Sequence, residues 1–299
     1  MKLGQIILIV IMCVAASLGA VHLWGGAPLG KTAEAPGESA YARVMRTGTI
    51  RCGYLFYPKI LQRDLNTGAY SGYAYEFMEE IGKQLSLKID WAEEMSFASA
   101  FDGLKTKRYD VACFPFTLMP GRARVTEFTK PIYSLPYFFY VRADDLRFDN
   151  AYAKVNDPAV KVAILEGELS QLVKAEDYPK AQTVSITSLA DINQVLLQIM
   201  TGKADVAMTE PSSSEEFMLK NPGKLRRVPG PSLRMQPGAF TVAVGEDNLR
   251  ELLNTTIASL QAMGFIERVF KKYATAPDQI YMPAPLWGDA VKPLEESKP

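Results

Sequence analysis

Thr117 and Arg122 stand five residues apart in the stretch YDVACFPFTLMPGRARVTEFTKPIYSLP, residues 109–136. A hydroxyl and a guanidinium at that spacing suit a carboxylate, because the planar fork of arginine meets two carboxylate oxygens at once and charges both hydrogen bonds. The apolar run Val111 to Phe116, bounded by Asp110 and Pro115, reads as a buried strand emptying into the loop that carries both residues. From the residues alone two readings of Arg122 stay open, a carboxylate clamp or a solvated charge beside Arg124.

Other chemistries are excluded by composition. The single histidine, His22, sits at the edge of the N-terminal apolar run, which removes histidine-based nucleophilic catalysis, His-rich metal sites and a histidine general base from the rest of the chain. Neither a Walker loop nor a Gly-x-Gly-x-x-Gly fingerprint occurs, so no nucleotide cofactor, and no cofactor of any kind, is expected. Lysine plus arginine balance aspartate plus glutamate at 33 each, leaving no basic field for nucleic acid. At 299 residues the chain is long enough for two packed lobes.

The elements that must position Thr117 and Arg122 follow in order. Gln5 to Trp24 is almost wholly apolar, and a cleaved signal peptide and a retained membrane anchor both fit it. Gly25 to Ser39 reads as a flexible tether. A strand at Thr49 to Gly53 opens into a loop with Tyr54, Phe56 and Tyr57, and Ala74 to Leu85 shows helical spacing. Leu87 to Trp91 is a second strand and Phe97 to Lys105 a second helix. Strand and helix in alternation predict parallel pairing, with ligands outside the carboxyl ends of the strands, where Tyr54 and Thr117 lie. Cys52 and Cys113 fall on strands expected to be neighbours. Direct bridges between adjacent parallel strands are awkward, so two buried free thiols are expected, although export permits a disulfide.

Pro115, Thr117 and Arg122, followed by Phe128, Pro131, Tyr133 and Pro136-Tyr137, resemble the signature region of the family 3 extracellular solute-binding proteins, the polar amino-acid receptors of ABC importers. They also resemble the ligand-binding domain of ionotropic glutamate receptors. The resemblance covers about residues 41–275 and includes the Gly72-Tyr73 helix start with Glu76. It implies a periplasmic-binding-protein-like, two-lobe (Venus flytrap) α/β fold: two mainly parallel sheets joined by a two-strand hinge near residues 139–143 and 234–240. The implied organisation is signal peptide or anchor at 1–24, tether at 25–40, lobe 1 at 41–139 and 240–275, lobe 2 at 140–239 and a proline- and acid-rich, extended or disordered tail at 276–299.

The resemblance also implies roles. Arg122 and Thr117, beside Pro115, would hold a ligand's α-carboxylate. Glu210, in the segment Ala204 to Glu210, takes the place of the acid that binds the α-ammonium, while the residues themselves also allow it to cap a helix beginning at Pro211. Tyr54 or Tyr57 would cover the side chain, or both serve packing. The family's Gly-Ser/Thr turn is altered here, with Glu168 at the first hydroxyl position. Facing the ligand, that anion would attract a cationic side chain; the alternative is that it points to solvent. The expected activity is capture of an amino acid or similar zwitterion by an exported, periplasmic or otherwise extracytoplasmic monomer. Its expected partners are ABC permease subunits, and the membrane if the N-terminal segment is uncleaved. Two alternatives accompany this reading, a cyclohexadienyl dehydratase-like enzyme using Glu210 or Glu168 as general acid, and a membrane-anchored ligand sensor.

Overall fold

The computed structural model describes residues 37–274 and 279–283, and the expected N-terminal signal or anchor lies outside them. Among the described residues no helix is long and apolar enough to cross a membrane. The compact unit that begins at Ser39 holds all the elements below.

The chain opens with helix α1 (Ala40–Thr47), capped by the Ser39 side chain, which accepts from the Ala42 amide. Strand β1 (Thr49–Tyr54), the short hairpin β2 (Gln62–Arg63) and β3 (Tyr70–Ser71), and helix α2 (Tyr73–Leu85) follow. Gly72 starts α2 at φ +118°, where a Cβ would meet the Ile60 carbonyl oxygen at 2.4 Å, so only glycine fits. Next come β4 (Lys88–Glu94), α3 (Ala100–Lys105) and β5 (Val111–Thr117), the strand of the signature stretch. β1 lies between β4 and β5 and runs parallel to both, the helices supplying the crossovers that parallel pairing needs.

After the single turn α4 (Pro120–Ala123) and β6 (Glu127–Phe128), strand β7 (Tyr133–Arg142) leads into the second lobe. That lobe contains β8 (Lys161–Leu165), α5 (Leu169–Asp177), β9 (Gln182–Ile186), α6 (Ile192–Met200), β10 (Val206–Thr209), α7 (Pro211–Lys220) and β11 (Leu225–Arg227). The long strand β12 (Arg234–Val242) returns the chain, and α8 (Asp247–Ala262) and α9 (Phe265–Tyr273) close on the first lobe. Alternate residues of β7 enter opposite cores: Phe139 and Val141 face one side, Phe138 and Tyr140 the other. Burial on both faces is why such strands read as unbroken apolar runs.

The sheets are joined rather than separate. Hydrogen bonding runs β4-β1-β5-β12-β7-β10-β8-β9, with β6 on β12 and β11 on β7. β12 pairs antiparallel with β7 from Arg234 opposite Tyr137 to Gly238 opposite Tyr133, then continues along β5. β7 changes partner between Tyr137 and Phe138, where β10 takes over, ahead of the 139–143 hinge expected from the sequence. Phe138 to Val141 pair with β10, and Tyr140 to Arg142 pair with β11 as well.

Two expectations are corrected. Cys52 and Cys113 are disulfide-bonded, with α-carbons 5.4 Å apart. β5 pairs with β1 at Cys52 and Gly53, which brings the two cysteines within bridging range despite the strands being parallel neighbours. The tail is also not wholly unpacked. Ser134 and Tyr281 exchange backbone hydrogen bonds of 2.7 and 2.8 Å, and Gln279 and Ile280 are fully buried. An apolar side chain and a satisfied amide hold that segment, since Gln279 accepts from Lys59 Nζ at 3.1 Å and donates to Glu215.

The start of β5 is fixed by Asp110, whose buried carboxylate accepts from Arg43 Nε at 2.9 Å, from the Arg51 amide at 2.7 Å and from Arg51 Nη2 at 3.0 Å. Asp110→Ala leaves the buried Arg43 guanidinium without its counter-charge, an expected loss of about 3–5 kcal/mol in denaturant unfolding; a change under about 1 kcal/mol would show the pair is dispensable. The double variant Cys52→Ala, Cys113→Ala is expected to lose about 2–4 kcal/mol. Differential scanning calorimetry with and without reductant checks this, and only the wild type should respond to reductant.

Candidate functional site

Arg122 lies on α4 with its guanidinium over the Phe116 ring, 5.3 Å from the centroid, and is 8% exposed. The short helix holds it there through Pro120 in its first turn, whose fixed φ suits a helix start. Nη1 donates to the Thr117 carbonyl at 3.2 Å, and Nη2 to the Gly167 carbonyl at 2.9 Å and to the Glu168 carboxylate. Gly167 and Glu168 belong to the other lobe, in the turn between β8 and α5. The guanidinium therefore spans the cleft, and of the two positions open to Glu168 the structure has the inward one. Burial pushes the Glu168 carboxyl above its ordinary range, and Arg122 opposes that shift.

Glu210 is the cap of α7. Its two oxygens accept from the Ser212 amide at 2.6 Å and the Ser213 amide at 2.9 Å, and each also accepts from the hydroxyl of the same serine. A carboxylate has about four lone-pair sites, and four donors occupy them here. The capping geometry that the residues allowed is thus present, while Glu210 still lines the cleft. Its negative charge reaches the interior without a free acceptor direction.

Of the two candidate aromatics only Tyr57 reaches the cleft, against Phe114 and Phe97 with centroids 5.6 and 6.3 Å apart. Burial raises its phenol well above the ordinary value. Tyr54 ends β1 on the other side, against Phe56, Tyr70 and Trp91, its hydroxyl 3.4 Å from that of Tyr70. Strand alternation turns it toward this satellite cluster instead of the cleft. Pro115 forms part of the cleft wall, and its carbonyl accepts from the Tyr133 hydroxyl at 2.9 Å.

Sequence reasoning passed over Tyr137 and Phe97, which line the cleft beside Tyr57. Tyr137 is the last β7 residue paired with β12 before the strand changes partner, and its phenol, raised by burial, meets the Thr117 side chain. A tyrosine following the Pro136 signal was visible, but its role as a wall depends on where the strand crosses. Among the described residues no group of histidine, cysteine, aspartate and glutamate could hold a metal ion. One guanidinium and two carboxylates amid aromatic walls suit the binding of a small ionic solute.

Comparison with known proteins agrees with that chemistry. The amino-acid-binding protein AabA of Dichelobacter nodosus is 22% identical over 208 residues, covering 69% of this chain and 80% of that protein. The histidine-binding periplasmic protein of Escherichia coli (strain K12) is 26% identical over 220 residues, again covering 69% of this chain and 80% of that one. Among solved structures, the ancestral amino acid-binding protein AncCDT-1, a precursor of cyclohexadienyl dehydratase, has a TM-score of 0.69 at 21% identity and covers 79% of this chain and 99% of that one, a likeness of fold. All three are named as binding proteins, the third also as a precursor of cyclohexadienyl dehydratase. The profile of the bacterial extracellular solute-binding proteins, family 3, matches residues 56–276. That match runs from the loop after β1 to beyond the end of α9 and takes in every residue that lines the cleft, and the chain belongs to this family.

Proposed function

We propose that this protein captures an amino acid or a similar small zwitterion outside the cytoplasm and delivers it to the permease subunits of an ABC importer. The observation that carries the reading is that a guanidinium from one lobe, Arg122, and a carboxylate from the other, Glu210, line a single cleft. Opposite charges on two bodies match the two ends of a zwitterion, and a ligand joins them only when the lobes close. Arg122 with the Thr117 hydroxyl would take the ligand's carboxylate, Pro115 forming the wall behind it. Glu210 would draw the ammonium as a fixed charge, because its lone pairs are already occupied. The Tyr57 ring would cover the side chain. Relatives named for amino-acid and histidine binding support this ligand class. The protein would act as an exported monomer, with residues 1–24 as its signal peptide or its anchor.

Thermal melts against acidic, neutral and basic amino acids test the reading. A ligand at a hundred times its dissociation constant adds about 2.7 kcal/mol, which corresponds to about 5–11 °C for a domain of this size. Arg122→Ala is expected to abolish that shift, because truncating one partner of a buried charge pair costs about 2–5 kcal/mol of affinity. No shift with any amino acid, or an equal shift in the variant, overturns the proposal. Glu210→Ala is expected to lower the melting temperature of the free protein, its cap being worth about 0.5–2 kcal/mol, and to reduce the ligand-induced shift as well. A free protein of unchanged stability would show that the cap contributes nothing.

A further inference from the structure

The cleft has two compartments that meet at Glu168. One is walled by Pro115, Phe116, Thr117 and Leu135 and contains Arg122. The other is walled by Leu165, Leu169, Ile192 and Met208. Tyr57, Phe97, Tyr137, Glu168 and Glu210 line both, so the two form one continuous space.

Their charges differ. Arg122 lines only the first compartment, and the second has both carboxylates and no cation in its lining. Arg122 contributes +1 and Glu168 and Glu210 −1 each, a formal net of −1 for the cleft. Glu210's charge is met by the donors at the start of α7, so the charge left open is that of Glu168 once Arg122 turns to a ligand's carboxylate, and a buried carboxylate without a partner is costly. A zwitterion that takes Arg122 leaves Glu168 without a cation; a ligand carrying +1 supplies one. Apolar walls beside two carboxylates also suit a methylene stem ending in a cation.

The two carboxylates are held differently. Glu210 is locked by two amides and two hydroxyls. Among the described contacts the Glu168 carboxylate has Arg122 as its sole partner, and it makes no capping bond to α5. Its backbone follows Gly167 at φ +77°, around which no heavy atom lies within 4 Å of an added Cβ. Glu168 can therefore leave Arg122 without breaking any other described hydrogen bond of its side chain, whereas a ligand's carboxylate cannot take that guanidinium fully while Glu168 holds it.

We propose that Glu168 is a resident counter-ion that exchanges partners. Across the empty cleft it pairs with Arg122, and on binding it gives the guanidinium to the ligand's carboxylate and takes the distal cation of a dibasic amino acid. The inference rests on the amino-acid-receptor reading above and narrows it. Glu168 selects the ligand class, and in the empty protein it ties the lobes together.

Titration calorimetry on the full-length chain, with L-lysine and L-arginine as dibasic probes, L-glutamine as a neutral one and cadaverine as a decarboxylated one, tests the exchange. Wild type is expected to bind the dibasic amino acids at least about tenfold more tightly than L-glutamine or cadaverine, the factor that about 1.4 kcal/mol represents. In Glu168→Gln the preference over L-glutamine is expected to vanish, because the distal cation loses its partner while Arg122 is already free. Glu168→Asp, which keeps the charge, should retain the preference with weaker binding. A wild type that binds L-glutamine as well as L-lysine, or a Glu168→Gln protein that keeps the preference, overturns the inference and leaves the receptor reading standing. Cadaverine binding as tightly as L-lysine overturns it too, since the ion pair would then have stayed intact. If none of the three amino acids binds wild type, the inference is overturned, and the receptor reading is decided separately by the thermal melts above. X-ray scattering on the empty proteins gives a readout free of ligand: Glu168→Gln should show a larger radius of gyration than wild type, and equal radii overturn the tie between the lobes.

Discussion

The antiparallel pairing of β7 with β12 is the constraint on which the rest of the molecule depends. Each strand serves both lobes, so residues on either side of the crossing owe their relative positions to five consecutive ladder pairs, Tyr133 to Tyr137 against Gly238 to Arg234. On one side β12 goes on to pair with β5, whose end carries Thr117 and leads to Arg122. On the other β7 pairs with β10, whose end leads to Glu210. The two charges that face the cleft are thus placed by the continuations of the same strand pair. A parallel sheet on each outer flank supplies bulk, and the antiparallel centre supplies the connection.

The cleft gathers charge in an unsymmetrical way. Glu210 is satisfied within its own lobe by the first turn of α7, where the helix end favours an anion. Glu168, at the start of α5, has no such support and turns to the guanidinium opposite. A buried pair of this kind offsets two desolvation costs but leaves each partner dependent on the other. The consequence is that one carboxylate belongs to the scaffold and the other to the space between the lobes. The rings of Tyr57 and Tyr137 wall that space, and burial holds both phenols above their ordinary value.

Support beneath the site comes from groups that never reach it. Asp110 ties β5 to α1 and β1 through two arginines, and the Cys52–Cys113 bridge links β1 to β5 three residues further on. The packed segment around Ile280 adds an antiparallel bridge to Ser134 on β7, so the end of the described chain bears on a strand shared by both lobes. Gln279 extends that contact to Lys59 of the first lobe and to Glu215 on α7 of the second.

By itself the sequence determined the fold class and the central motif. The alternation of apolar strand runs with helical spacing, and Pro115, Thr117 and Arg122 at the mouth of a strand, are local patterns with local causes. The elements they announced are present, from α2 with Phe77 and Ile81 on its buried face to the fully buried β10. Tertiary structure decided everything that depends on which surface a side chain meets. Tyr54 at the end of β1 faces the Trp91 cluster while Tyr57, in the loop beyond, enters the cleft, and whether the cysteines bridge turns on how β1 is registered against β5. That Glu168 faces Arg122 follows from segments 46 residues apart being brought to hydrogen-bonding distance, whereas the Glu210 cap on Ser212 and Ser213, 2 and 3 residues on, is local and was open to the sequence. Sequence spacing carries the periodicity of an element, but the partner of a charge is chosen by packing between elements, where desolvation makes an unpaired group too costly to leave.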